Sequence, residues 1–235
     1  MQQINHPLLS PALGTQRHLS SWHFGQPDQG PKVYVQASLH ADELPGMLVA
    51  HHLRGLLEVA EQSGQLLGEV VLVPVCNPIG LDQSLMHHQV GRFELLTMEN
   101  FNRNYPDFFN LVKDRIAQKL TQDAETNLRL VRAAMHEVLQ EQPVTTELES
   151  LRRVLMGLAC DADVVLDLHC DFEAVAHLYT TPEAWPQVEP LARYIGSEAN
   201  LLATDSGGQS FDECFTLVWW QLQQRFAKQF PIPQG

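Results

Sequence analysis

Three short apolar segments constrain the fold of this chain more than any other feature. They are Val33–Leu39, Glu69–Val75 and Asp163–Leu168, and each ends close to a polar residue. Apolar runs of this length are typical of strands that are buried on both faces of a sheet. Helical periodicity follows the first run, from about Leu44 to Glu61. The order strand, helix, strand therefore begins early in the chain.

Further segments continue this alternation. Additional strands are predicted around His18–Phe24 and Ala176–Thr180, and helices over Phe108–Gln142, Glu147–Cys160, Pro186–Ala199 and Phe211–Phe230. The pattern predicts an α/β fold with a mostly parallel, mixed sheet that is flanked by helices. We expect residues 1–32 to form a polar N-terminal segment with an edge strand, and residues 33–235 to form one α/β domain.

The charge balance argues against partners that need a basic surface. The chain has 28 Asp and Glu against 15 Lys and Arg, which gives a formal net charge of -13. Nucleic acids and anionic membranes attract clusters of Lys and Arg, so neither is expected as the main partner. A small anionic substrate remains compatible with this charge, because a few arginines can form a local positive pocket.

The sequence features that report on cellular location favour the cytoplasm. The sequence shows no basic and apolar leader, and no apolar run of the roughly 18 residues that a membrane span needs. Its cysteines are Cys76, Cys160, Cys170 and Cys214, and they have no paired spacing of the zinc-ribbon or redox type. We therefore expect a protein of the reducing cytoplasm with reduced thiols.

Polar side chains follow the predicted buried strands. His40 and Glu43 follow the first strand, Asn77 the second and His169 the third. In parallel α/β sheets ligands bind beyond the carboxyl ends of the strands, so these residues are expected at one edge of the sheet. Zinc binds imidazole nitrogen and carboxylate oxygen, and a catalytic zinc site has three protein ligands plus water. His40, Glu43 and His169 are therefore candidate ligands of one zinc ion.

Asp167 is a candidate partner of these ligands. It lies two residues before His169, so on a strand both side chains point to the same face. There it would hold His169 or His40 in the tautomer that binds a metal. The alternative is structural, because an isolated His-x-x-Glu motif is a weak metal signal and a histidine at a strand end often only forms hydrogen bonds.

The polar stretch Glu99–Asp107 contains the next candidates. Arg103 offers a guanidinium fork for a carboxylate or a developing oxyanion, and Asn102 offers a neutral amide donor. Arg92 is a second candidate for binding an anion. The alternatives are a polar surface loop that turns at Pro106 and an ordinary solvated arginine.

These residues together resemble a known family. The motifs are His40-Ala41-Asp42-Glu43, Asn77-Pro78-Ile79-Gly80, Asn102-Arg103 with Tyr105-Pro106, and Asp167-Leu168-His169. They occur in the order seen in the succinylglutamate desuccinylase/aspartoacylase family, which is related to the zinc carboxypeptidases. The resemblance covers most of residues 33–230. Each motif alone is unspecific, but the combination is specific.

The resemblance implies roles for the candidate residues. The zinc ligands would be His40, Glu43 and His169. Arg92 would polarise the scissile carbonyl, while Asn102 and Arg103 would bind the carboxylate of the substrate. The implied reaction is hydrolysis of an N-acyl amino acid or a similar small amide, in which zinc activates a water molecule and a general base moves its proton.

One departure from the family concerns the general base. In the family this base is a glutamate on a strand that follows the last helix, and this chain ends near the position where that strand should begin. The smaller C-terminal β domain of the family is also expected to be absent, so a truncated zinc-hydrolase domain is expected. Glu173 is a poor substitute, because we expect it to lie in a loop as a solvated or substrate-facing group. No general base is therefore identified.

Three functions stay open at this point. The leading one is a cytoplasmic, zinc-dependent amidohydrolase with a small anionic N-acyl amino acid as substrate. The alternatives are a zinc carboxypeptidase that acts on peptides and a metal-binding module that lacks the base. The sequence is also compatible with a homo-oligomer.

Overall fold

The computed structural model describes residues 1–233, which form two compact units. The first unit comprises Met1–Arg103 and Leu139–Cys170, and the second comprises Asn104–Val138 and the chain from Asp171 onward. The elements follow in this order: β1 Gln2–Pro7, β2 His18–Gly25, β3 Lys32–Ala37, α1 Leu44–Gln62, β4 Glu69–Val73, α2 Pro78–Leu81, β5 Ser84–Leu85, β6 His88–Gln89, α3 Phe108–Ile116, α4 Ala124–Glu141, α5 Glu147–Ala159, β7 Val164–Leu168, β8 His177–Thr180, α6 Trp185–Tyr194, β9 Ala199–Leu202 and α7 Phe211–Phe226.

A five-stranded mixed sheet forms the centre of the first unit. Its strand order is β1-β2-β4-β3-β7. β3 pairs in parallel with β4 and with β7, whereas β2 pairs antiparallel with β1 and with β4. The predicted α/β class with a mixed sheet is confirmed. Because β3, β4 and β7 run in the same direction, their carboxyl ends meet at one edge of the sheet.

The helix α1 covers one face of this sheet. Its buried Ala50 and Leu57 pack in one cluster with Phe24, Val35, Ala37 and Leu72 from the strands. Each of the larger side chains, namely those of Leu57, Phe24, Val35 and Leu72, stabilises the fold by about 1.5–3 kcal/mol when it is fully removed from water. Gly46 in the first turn lies so close to β7 that an added Cβ would be 2.9 Å from the carbonyl oxygen of Leu168. This packing places the start of α1 at the carboxyl edge of the sheet.

The second unit is mainly helical. α3 packs on α7 through a row of aromatic rings, with centroid distances of 5.9 Å between Phe108 and Phe215 and 5.2 Å between Phe215 and Phe211. β8 and β9 form a separate parallel pair. The strand predicted at Ala176–Thr180 is therefore present as β8, in a two-stranded sheet of its own.

The helix predicted over Phe108–Gln142 is interrupted in the structure. The side chain of Asn127 accepts a hydrogen bond from the N–H of Thr121 at 2.8 Å and donates one to the carbonyl oxygen of Thr121 at 2.9 Å. Asp123 then caps α4, since its carboxylate accepts the N–H of Thr126 at 2.7 Å. Polar side chains of this kind compete with the backbone for hydrogen bonds and separate α3 from α4.

Among the described residues, four strands were not predicted: β1, β9 and the two-residue strands β5 and β6. β1 is a polar edge strand that pairs only with β2, so it lacks the apolar pattern of a buried strand. β9 follows a helix that was predicted to run to Ala199, but α6 ends at Tyr194 and Gly196 takes a φ of +69°. A left-handed glycine at this place is a common helix terminator.

From residue 1 to residue 233, no helix is both long and apolar enough to cross a bilayer.

Candidate metal centre

Three side chains that could bind a metal ion converge at the carboxyl edge of the sheet in the first unit. His40 follows β3, Glu43 directly precedes α1, and His169 directly follows β7. Each offers one ligand atom, and these atoms all lie within 4.8 Å of one another. His40 and Glu43 are buried, with 3% and 8% of their surfaces exposed. Glu43 and His169 are 126 positions apart, and they meet because β3 and β7 are parallel neighbours.

The carboxylate of Glu43 lies between the two imidazoles. Its Oε1 is 2.8 Å from Nδ1 of His40, and its Oε2 is 2.9 Å from Nδ1 of His169. The backbone N–H of Cys170 donates to Oε2 at 2.9 Å, and Arg92 donates to Oε1 at 3.1 Å. Burial alone would raise the pKa of Glu43, but the hydrogen bonds from His169, His40 and Cys170 hold this pKa well below its ordinary value.

His169 faces a carboxylate on both sides of its ring. Its Nδ1 faces Glu43, and its Nε2 lies 3.0 Å from Oδ2 of Asp167. Partial burial lowers the pKa of His169, but the carboxylates of Asp167 and Glu43 outweigh this effect and raise the pKa to about 11. Without a metal, a proton therefore occupies the position between His169 and Glu43.

His40 faces an amide instead. Its Nε2 lies 2.9 Å from Oδ1 of Asn100, and the same oxygen accepts the backbone N–H of Asn102 at 2.8 Å. The sequence reasoning did not single out Asn100, because it is one of several polar residues in a segment without periodicity. Its position two residues before the Asn102-Arg103 pair is the signal that could have identified it.

The backbone around His40 is fixed by close contacts. Ser38 has a φ of +71°, which a residue with a side chain adopts only under strain. Asn77 is fully buried, and its side-chain amide donates to the carbonyl oxygen of Leu39 at 2.8 Å. The N–H of Ala41 donates to the carbonyl oxygen of Gly91 at 2.9 Å. Asn77, one of the residues at the predicted strand ends, therefore supports the turn that carries His40.

The remaining predicted residues lie at different distances from this centre. Nδ2 of Asn102 is 3.5 Å from Nε2 of His169, so Asn102 borders the site. Arg103 is exposed, and its guanidinium donates to the carbonyl oxygen of Asn102 at 2.6 Å. Glu173 is exposed and belongs to the second unit.

The donor set fits a divalent metal ion. Two imidazole nitrogens and a carboxylate, presented from three sides at one point, are the ligands that zinc and similar transition metals prefer. Both Nδ1 atoms face the carboxylate of Glu43. Both Nε2 atoms have an oxygen acceptor within 3.0 Å, from Asn100 or Asp167, as in metal sites whose histidines are oriented by outer partners. His40, Glu43 and His169 could therefore hold one metal ion.

Comparisons with known proteins agree with this geometry. Residues 29–213 match the succinylglutamate desuccinylase/aspartoacylase catalytic domain family. No curated protein sequence gave a significant match.

Two solved structures of this family are also similar to this chain. A candidate member of this family from Shewanella amazonensis SB2B is 29% identical, with a TM-score of 0.81 over 97% of this chain and 61% of that one. One from Shewanella frigidimarina NCIMB 400 is also 29% identical, with a TM-score of 0.82 over 97% of this chain and 60% of that one. This chain thus spans about three fifths of the length of either relative.

A more distant structure shares the fold alone. A candidate metallopeptidase from Shewanella baltica OS155 is 16% identical, with a TM-score of 0.51 over 92% of this chain and 74% of that one. With its four motifs in order and most of its length matched by the family, the chain belongs to the succinylglutamate desuccinylase/aspartoacylase family.

Proposed function

We propose that this chain carries the zinc centre of a hydrolase that cleaves the amide bond of an N-acyl amino acid or a similar small amide. The products are a carboxylic acid and a free amine. One observation carries the proposal: the ligand atoms of His40, Glu43 and His169 lie within 4.8 Å of one another at the carboxyl edge of the sheet. Family membership supports the hydrolase class.

Zinc is the metal that suits these donors best. Two histidines and one glutamate form a three-ligand set that leaves a position for water. A zinc ion held there would polarise the scissile carbonyl and lower the pKa of its bound water to near neutrality. His40, Glu43 and His169 are the proposed ligands of a single ion.

Arg92 is the proposed residue that stabilises the developing oxyanion. One of its N–H groups donates to Glu43 at 3.1 Å, which places the guanidinium beside the metal ligands. The Arg92 side chain is 43% exposed, so it can also reach a bound substrate. A guanidinium is always charged and has five donors, so one contact with Glu43 leaves others for the carbonyl oxygen.

Asn102 and Arg103 are the proposed binding residues for the carboxylate of the substrate. They belong to the loop Glu99–Arg103, which contacts both imidazoles through Asn100 and Asn102. A guanidinium next to an amide donor is suited to a carboxylate. Such a local positive group explains how an acidic chain would bind an anionic substrate.

Asp167 is proposed to orient His169 rather than to react. Its carboxylate lies 3.0 Å from Nε2 of His169 and therefore keeps a proton on that nitrogen, which leaves Nδ1 for the metal. We assign the general base to none of the described residues. We propose the cytoplasm as the compartment, because the cysteine spacing is not that of a disulfide framework.

Zinc binding and amide hydrolysis together test this function. Purified protein would be assayed for zinc content and for release of amine from N-acyl amino acids and from unblocked dipeptides, using residues 1–235 and the complete product of the gene. We expect zinc in both forms, and hydrolysis of the acylated substrates by the complete product. His40→Ala is the control that should lose both properties.

Each other outcome would contradict a defined part of the proposal. Hydrolysis of peptides alone would identify a carboxypeptidase. Zinc without turnover in either form would leave a metal-binding module. Absence of zinc, with a stability in chelator that His40→Ala does not change, would refute the metal centre itself.

A further inference from the structure

The hydrogen bonds of Asn100 determine which nitrogen of His40 carries its proton. The backbone N–H of Asn102 lies 2.8 Å from one side-chain atom of Asn100, and a backbone N–H can only donate. That atom must therefore be the carboxamide oxygen. The same oxygen lies 2.9 Å from Nε2 of His40, so it accepts a proton from this nitrogen. The contact to the backbone thus settles the orientation of the Asn100 amide.

This assignment has a consequence for the metal ligands. With the proton on Nε2, a neutral His40 has its lone pair on Nδ1. Nδ1 is the atom that lies 2.8 Å from Oε1 of Glu43, at the point where the three ligand atoms converge. Asn100 therefore presents His40 in the tautomer that a metal ion requires.

Asn100 is held from outside the loop by an arginine of α5. Nη1 of Arg152 donates to the carboxylate of Glu99 at 2.9 Å. Its Nη2 donates to the carbonyl oxygen of Arg103 at 2.9 Å and contacts that of Asn100 at 3.4 Å. One guanidinium thus binds the first, second and last residues of the loop Glu99–Arg103.

The position of Arg152 suits this role. Its side chain is only 12% exposed, and it lies on α5, whose first turn is fixed by a capping box between Thr146 and Glu149. A planar guanidinium is preorganised to bind several oxygens at fixed angles, which an ammonium group cannot do. The loop is thereby attached to a regular helix, although it has little regular structure itself.

We propose that Asn100 is a positioning residue that fixes the metal-binding tautomer of His40, and that Arg152 of α5 holds Asn100 in place. The inference rests on the metal centre of the proposed function. It assigns a role to two residues that would touch neither metal nor substrate.

Two variants of equal size at position 100 test the first part. Asn100→Leu removes the acceptor, and we expect zinc affinity to fall about 10- to 100-fold, as for other outer partners of metal-bound histidines. Asn100→Asp keeps an acceptor of the same shape, so its zinc affinity should equal or exceed that of the wild type. The measurement is competition for zinc against a chromogenic chelator, after thermal unfolding has shown that the variants fold.

A spectroscopic readout separates positioning from a general structural effect. With nitrogen-15 in the histidine rings, NMR should show His40 protonated at Nε2 in the wild type and in Asn100→Asp. In metal-free Asn100→Leu the proton should instead lie on Nδ1, which faces the carboxylate of Glu43 at 2.8 Å. If Asn100→Leu does not fold, Asn100→Ala provides the same comparison.

Adjacent arginines on α5 provide a matched pair for the second part. Arg152→Met should lower zinc affinity by about 10-fold, since the loop loses its attachment. Arg153→Met is the control, because the guanidinium of Arg153 donates to the carbonyl oxygen of Gln142 rather than to the loop. Arg152→Lys should recover only part of the affinity.

The outcomes distinguish this inference from the proposed function. If the wild type binds zinc and Asn100→Leu binds it within about twofold, the positioning role is refuted. Equal effects of Arg152→Met and Arg153→Met would refute the role of Arg152. If the wild type binds no zinc, the proposed function fails, while the tautomer of His40 in the metal-free protein still decides the role of Asn100.

Discussion

Nδ1 of His169 lies 2.9 Å from Oε2 of Glu43, so the two side chains share one position that a proton or a metal ion can occupy. The other ring nitrogen faces Asp167 at 3.0 Å. Partial burial opposes a charge on His169, but the two carboxylates outweigh it and raise the pKa to about 11. Protons and a bound metal ion would therefore compete for the same site, and the stability of the metal-free protein should depend on pH.

The stability of the metal-free protein should fall at alkaline pH. The pKa of His169 is raised from 6.5 to about 11 in the folded state, so its contribution is fully present below pH 6.5 and is lost as the pH rises through the folded-state value. Urea unfolding in the presence of a chelator would measure this between pH 7 and about pH 10. His169→Gln removes the titrating group and should give a smaller decrease. An equal decrease in both proteins would contradict the assignment.

The charge of Glu43 should be essential for metal binding and for local stability. Its carboxylate accepts from Arg92 and from the N–H of Cys170, and lies within 2.9 Å of both imidazoles. Glu43→Gln keeps the shape but removes the charge that these donors share. We expect zinc affinity to fall by more than about 100-fold, since even outer partners of ligands cost up to that amount. Chelator competition measures the change.

The same substitution should also destabilise the metal-free protein. Removal of one partner from a buried ionic group costs about 3–5 kcal/mol, because the remaining charge stays buried. Glu58→Gln is the matched control on α1, since Glu58 forms a surface pair with Arg54 at 3.7 Å. Surface pairs contribute about 0.5 kcal/mol or less. Similar losses of unfolding free energy for both variants would mean that Glu43 is not a buried ionic group.

The parallel strands of the sheet could be predicted because each is marked by its own local sequence pattern. Buried parallel strands need continuous apolar runs, and β3, β4 and β7 have them. Since the carboxyl ends of parallel strands share an edge, the location of His40, Glu43 and His169 at that edge could be predicted from the strands they follow. That β3 and β7 are direct neighbours is known only from the structure. Their role as ligands stays a proposal.

Other features depend on contacts between distant residues and could not be predicted in this way. Asn100 meets His40 only because an irregular loop folds back across 60 residues. Arg152 has the sequence context of any exposed helical arginine, and only the tertiary structure places it on that loop. The break between α3 and α4 depends on how Asn127 bonds to Thr121, which competes with a helical periodicity that is otherwise continuous.

Arg92 should affect the reaction much more than it affects metal binding. Its guanidinium contacts Glu43 through one donor at 3.1 Å and is 43% exposed, so the ligands remain in place without it. If it stabilises the oxyanion, Arg92→Met should lower kcat by about 100- to 1,000-fold. Zinc affinity should change by less than about 10-fold. Steady-state kinetics together with chelator competition would measure both, and a loss of zinc equal to the loss of kcat would refute the catalytic role.

Gly91 should be irreplaceable because the backbone of the His40 turn passes directly over it. A Cβ at this position would lie 2.3 Å from the amide nitrogen of Asp42 and 2.6 Å from the carbonyl carbon of Ala41. Real side chains do not approach so closely, so Gly91→Ala must displace either the turn or the segment that carries Arg92. We expect a loss of about 1–3 kcal/mol of unfolding free energy, typical of overpacking, and weaker zinc binding.

Gly157 provides the opposite control for this substitution. It lies within α5, and an added Cβ meets no atom within 4 Å. Gly157→Ala should therefore stabilise the protein by about 0.5–1 kcal/mol through the higher helix propensity of alanine, with zinc affinity unchanged. Urea unfolding of the two variants measures the contrast. If Gly91→Ala were as stable as the wild type and bound zinc equally well, the close approach of Gly91 to the His40 turn would not exist in solution.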